Sequence, residues 1–91
     1  RRVVVLSGAE DVSLAEHLRA SAMEQTLLAG GASVTLLSVG AAPTDGVDEA
    51  LDAVRDGATA VMCASDYRQL AVMRALRAAG LSVPGDVGVT G

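Results

Sequence analysis

Four short apolar runs alternate along the chain with three stretches whose apolar residues recur every three or four positions. The runs are residues 3–6 (VVVL), 34–39 (VTLLSV), 59–64 (TAVMCA) and 87–90 (VGVT). None alternates strictly between apolar and polar, as a strand with one wet face does. Continuous apolar runs of this length predict strands buried on both faces, and such strands are parallel. The intervening stretches predict helices over about 14–28, 47–55 and 67–79. In the first, Leu14, Leu18, Ala22, Met23 and Leu27 supply an apolar stripe at helical spacing. Ser13 and Glu16 match the S-x-x-E capping box, in which the serine oxygen accepts from the backbone N–H three residues on and the glutamate reaches back. Gly30 and Gly31 supply the stop. In the second helix Val47, Ala50, Leu51 and Val54 share a face; Asp45 is its candidate cap and Asp56-Gly57 its end. Gly80 ends the third helix, and Val83-Pro84-Gly85-Asp86 is a turn.

Strand and helix alternating with short connections give β-α-β-α-β-α-β, an α/β fold with an open, doubly wound parallel sheet in three layers. Three helices cannot fully cover both faces of a four-stranded sheet, and the first residue is not methionine. The chain is therefore expected to be part of a larger domain, with more chain on both sides.

Composition narrows the function classes. At 91 residues and 51% apolar, the sequence fits one small domain that stays marginal if it stands alone. The formal net charge is −4, the acids and bases are mixed, and lysine is absent. No basic face marks this segment as a binder of DNA or of an anionic membrane. No run of about 18 apolar residues spans a bilayer, and residues 1–6 are too short an apolar start for a signal peptide. The single cysteine, Cys63, lies in an apolar run with no Cys or second His near it, so it reads as a buried small hydrophobe compatible with the cytoplasm. No cofactor motif or metal-ligand set is present.

In open α/β sheets, ligands sit beyond the carboxyl ends of the strands. The exits to search are residues 7–11, 40–46, 64–67 and 90–91. Asp66 stands where the third strand hands over to a helix. It either caps that helix, with Ser65 beside it and Gln69 as its partner, or accepts hydrogen bonds from ligand hydroxyls; the two roles are compatible. Arg19 is either a solvated helix residue paired with Glu16 or Asp11, or a planar fork for hydroxyls, carboxylates or phosphates. Ser65, Tyr67, Ser7 and Gly8 are candidates for the ligand rim. The Ser7-Gly8 turn has neither G-x-G-x-x-G nor G-x-x-x-x-G-K-[ST], which disfavours nucleotide binding. Glu10-Asp11 reads as loop charge, and His17 has no partner constellation. No nucleophile–base pair supports an enzyme of flavodoxin-like fold. Tyr67 is the only aromatic residue, so a facing lobe must supply the rest of any sugar pocket.

Residues 64–76 (ASDYRQLAVMRAL) followed by 79–91 (AGLSVPGDVGVTG) carry a family pattern. They resemble A-N-D-x-x-A-x-G-x-x-x-A-L and then A-G-L-x-V-P-x-D-V-S-V-x-G of the effector-binding domain of LacI/GalR-type bacterial transcriptional regulators. Residues 3–8 are similar to the family's strand ending in a Gly turn, and Arg19-Ala-Ser-Ala-Met23 stands where the family shows R-x-x-G-F. The resemblance covers essentially the whole chain. It implies a periplasmic-binding-protein-like type I half-domain, the second or C-terminal lobe of the effector-binding domain, over 1–91 with no DNA-binding headpiece. It also implies a cytoplasmic, homodimeric regulator, often a repressor. A separate helix-turn-helix domain there binds operator DNA, and a small molecule, often a sugar or nucleobase, closes two lobes. By resemblance Asp66 and Arg19 are ligand-binding, and the protein is not an enzyme. The chain departs from the pattern at Ser65 (usually Asn), Ala22 (usually Gly) and Leu70 (commonly Ala), and loop 40–46 lacks the family's aromatic and acidic residues. A sugar-binding component of a transport system is the alternative, since it has the same lobes.

Overall fold

The valine-rich segment near the start of the chain becomes the centre of the sheet. In the computed structural model, which describes residues 1–90, the elements are β1 (Arg2–Gly8), α1 (Leu14–Ala29), β2 (Ser33–Val39), α2 (Val47–Arg55), β3 (Ala60–Cys63), α3 (Asp66–Ala78) and β4 (Gly88–Thr90). Gly91, part of the fourth strand exit, lies outside the described residues. The strands run in the order β2-β1-β3-β4 and every neighbouring pair is parallel. This is the α/β architecture expected from the apolar runs.

The two faces of the sheet are covered by different helices. Val5, Val34, Leu36 and Met62 pack with Ala20, Met23 and Leu27 of α1. Val4, Leu6, Val61 and Cys63 pack on the opposite face with Val47 and Ala50 of α2 and Val72 and Leu76 of α3. The chain leaves β1 toward β2 under α1, then steps back across β1 to β3 under α2. Between β1 and β3 the connections therefore diverge to opposite faces, which makes their carboxyl ends the topological switch point of the sheet.

Three local expectations change. The run in β2 is not buried on both faces: Ser33, Thr35 and Ser38 are exposed, because β2 is an edge strand in this sheet. The inward stripe of α1 is Glu16, Ala20, Met23 and Leu27, whereas Leu14 and Leu18 are 55% and 58% exposed. The helix carries apolar residues on two sides, and the side that docks is the one holding Glu16. Asp45 does not cap α2: its carboxylate accepts from the Ala42 N–H at 3.2 Å, and the cap position is Gly46 in the left-handed region at φ +81°. A Cβ at Gly46 would also lie 2.7 Å from Leu6 Cδ1 and 2.8 Å from Val39 Cγ1.

Gly80 separates these two effects, since it has φ +83° but nothing near a built Cβ. Gly80→Ala should cost roughly 1 kcal/mol from backbone strain alone. Gly46→Ala should cost about 1–3 kcal/mol more, because the methyl must displace packed core atoms. Urea unfolding midpoints of the two variants measure the difference. Equal midpoints would remove the packing term.

Candidate functional site

Glu16 and Arg68 approach the switch point from opposite faces of the sheet. Each is placed by the apolar rhythm of its own helix: Glu16 shares the inward face of α1 with Ala20, and Arg68 stands one and two turns before Val72 and Leu76 in α3. Both are buried, Arg68 completely. Arg68 Nε donates to Glu16 Oε1, and this is the only salt bridge among the described residues. Its other two nitrogens donate to the loop after β2, Nη2 to the Gly40 carbonyl at 2.7 Å and Nη1 to the Ala42 carbonyl at 3.4 Å. Glu16 accepts from the Gly8 N–H at the end of β1 at 2.9 Å, from the Tyr67 hydroxyl at 3.2 Å and from the Ser65 hydroxyl at 3.4 Å. One ion pair thus joins the exits of β1, β2 and β3. Gly8 gives that approach its room: a Cβ there would lie 3.0 Å from Glu16 Oε2 and 3.1 Å from Arg68 Nη2, and both side chains would have to shift slightly.

Burial by itself pushes the Glu16 carboxyl up. The Gly8 N–H, the Arg68 guanidinium and the Tyr67 hydroxyl more than offset this and hold it below the ordinary value of 4.5. Only half of the expected capping box forms. Ser13 Oγ accepts from the Glu16 N–H at 3.2 Å, but the Glu16 side chain turns inward instead of back to Ser13. The Ser13 N–H donates instead to the Ala9 carbonyl at 3.0 Å, and the carboxylate takes the charge-assisted bond to the buried guanidinium.

Arg19 lies one turn beyond Glu16. It pairs with neither Glu16 nor Asp11; its Nε donates to the Ala64 carbonyl at 3.0 Å, at the end of β3. That bond fixes the stem of an otherwise exposed side chain. Ser65 occupies the N-cap position of α3 without a side-chain cap bond, and Asp66 is exposed in the first helical turn. Arg19, Met23, Ala64, Ser65 and Asp66 line one open depression of about 480 Å³. It presents a cation, an anion and a hydroxyl over the apolar Met23 side chain. The other named rim residues lie elsewhere. Tyr67 faces a second, apolar depression of about 410 Å³ between α2 and α3, lined also by Val47, Leu70 and Arg74. Ser7 and Gly8 are buried beneath the site, and Ser7 Oγ donates to the Gly8 carbonyl at 2.8 Å. From sequence Glu16 reads as a helix-capping residue and a partner of Arg19, and neither it nor Arg68 is among the candidate site residues. The signal that would have found them is a charge in register with the buried stripe of each helix.

Because the Glu16 carboxyl is held low, it stays charged where an unfolded chain begins to take up protons. Its contribution to stability is complete above about pH 4.5 and is lost as pH falls through the folded-state value. The fall of unfolding free energy below that pH should be shallower in Glu16→Gln than in the wild type, as read by urea unfolding at a series of pH values. Parallel curves would show that Glu16 is not the group being protonated. Burial also pushes the Cys63 thiol up to about 12, with Arg68 opposing and Glu16 reinforcing that shift. Native protein at pH 8 should therefore leave Cys63 unreacted with a thiol reagent that modifies it promptly after denaturation.

A family model, periplasmic binding protein-like domain, matches residues 1–91. No curated protein sequence gave a significant match. Among solved structures, a LacI-family transcriptional regulator from Burkholderia phymatum is 27% identical, with a TM-score of 0.73 over 98% of this chain and 34% of that one. The Lac repressor bound to ONPG in its repressed state is 24% identical, with a TM-score of 0.74 over 99% of this chain and 28% of that one, a likeness of fold alone. This chain spans about a third of the length of those proteins. The resemblance to LacI-type effector-binding domains is borne out, and the chain belongs to the periplasmic binding protein-like domain family.

Proposed function

We propose that this chain is the effector-sensing, C-terminal lobe of a cytoplasmic, homodimeric transcriptional regulator. A sugar or related small molecule binds between this lobe and a facing one, and lobe closure alters operator binding by a helix-turn-helix domain outside the chain. The observation that carries this reading is the depression formed by Arg19, Ser65 and Asp66 at the carboxyl edge of a parallel sheet. The Ala64 carbonyl holds the Arg19 side chain by its Nε. The two terminal nitrogens of the fork are thereby oriented for a ligand, and Asp66 stands beside them as an acceptor of hydroxyl donors. The LacI-family regulator at 27% identity supports the sensing role over turnover. No catalytic role is assigned to any residue.

A thermal-shift screen of the intact protein with sugars, nucleosides and their phosphates identifies the effector. With that compound, Asp66→Ala should weaken binding by about 1.5–3 kcal/mol, measured calorimetrically. That is roughly a tenfold to 150-fold loss of affinity. Operator binding without effector should stay near wild type. Unchanged effector affinity would remove Asp66 from the site. Effector binding by a protein that has no operator and serves uptake would favour the transport alternative.

A further inference from the structure

At the switch point, four donors converge on one small volume. They are the Gly8 N–H, the Ser65 and Tyr67 hydroxyls and the Arg68 Nε–H. The Arg68 guanidinium is wholly buried, and each of its other two nitrogens donates to one carbonyl, Nη2 to Gly40 and Nη1 to Ala42. A backbone N–H at a strand exit, two hydroxyls at the start of α3 and a guanidinium together make a cradle suited to an anion. Here the space is filled from within, by a side chain from α1.

We infer that Glu16 is the resident anion of this cradle and acts as a specificity-determining residue. Its carboxylate satisfies every one of these donors, so none of them is open to a phosphate or carboxylate of a ligand. The effector must then be held outside the cradle, by Arg19 and Asp66 beside it, with any anionic group met by Arg19 alone. Only this consequence rests on the proposed sensing role; the occupied cradle stands on the geometry alone. The carboxyl's lowered affinity for protons agrees with a group that is bound as an anion. Tyr67 is drawn into the same arrangement. Its hydroxyl is bonded to Glu16 and the Arg68 guanidinium lies 5.0 Å from its ring centroid, so it is held away from the Arg19–Asp66 depression.

The test is chemical rescue, and it needs no effector. Glu16→Ala removes the same set of non-hydrogen atoms that acetate contains, leaving the donors in place around the gap. In the intact protein at pH 7, acetate should raise the Tm of Glu16→Ala above its value in chloride of equal ionic strength. The expected rise is about 2–4 °C or more once acetate exceeds its dissociation constant about tenfold. Should this variant be unfolded in chloride, recovery of folded protein in acetate is the same readout. The wild type and Glu16→Gln, whose cradle stays filled, should show no acetate-specific shift. An empty result for Glu16→Ala, folded or not, overturns the proposal. So does an equal acetate shift in the wild type or in Glu16→Gln. Neither result bears on whether Asp66 binds effector, so failure here is separable from failure of the sensing role.

Discussion

A carboxylate and a guanidinium buried against each other, Glu16 and Arg68, hold the carboxyl edge of this sheet in place. Separately, each would be intolerable in the interior, because the desolvation of a single buried charge amounts to several kcal/mol. Together, with the Gly8 N–H, two hydroxyls and two carbonyls around them, their polar atoms are all satisfied. The pair joins elements that share no backbone hydrogen bonds at this edge: the start of α1, the start of α3 and the loop after β2. A wholly apolar contact would fill the same space, but it would not fix the direction of those connections. Directional, charge-assisted bonds do.

The position of the candidate site follows from that constraint. Arg19 is one turn from Glu16 on α1, and Asp66 is two residues from Arg68 on α3. Holding the two helix starts together therefore sets the spacing across the open depression. The Arg19 bond to the Ala64 carbonyl is a second, shallower tether between the same two segments. Arg19 and Asp66 remain exposed because the inner pair carries the structural load. The separation is also seen in Tyr67, which the inner pair keeps on the far side of the α3 turn.

Much of the fold was legible in the sequence. The runs of Val, Leu and Ala specify buried parallel strands, and glycines mark the helix ends. The errors have local causes. α1 has apolar residues on two sides, and periodicity alone chose Leu14 and Leu18 with Met23 and Leu27, and missed Ala20. β2 reads as buried because an edge position is a property of the sheet, not of the strand. Asp45 reads as a cap because its competitor for that position, Gly46, is selected by the packing of Leu6 and Val39. The candidate site was half legible. Arg19, Ser65 and Asp66 were named and are brought together, although the residues alone left Arg19 open between a solvated helix residue and a ligand fork, and the family pattern favoured the fork. Ser7 and Gly8 were also named, but β1 is the central strand and buries its own end. The Glu16–Arg68 pair was illegible because its members lie far apart in sequence and each has an ordinary local reading, a capping glutamate and a helix arginine.

The most direct test of the account is a double-mutant cycle on the pair, with Glu16→Gln, Arg68→Met and the combined variant compared by urea unfolding. If the pair holds the edge together, each single change leaves a buried charge without its counter-charge and should lose about 3–5 kcal/mol. The double variant should lose clearly less than the sum, with a coupling of about 1.5–3 kcal/mol. Additive losses, with no coupling, would contradict the account.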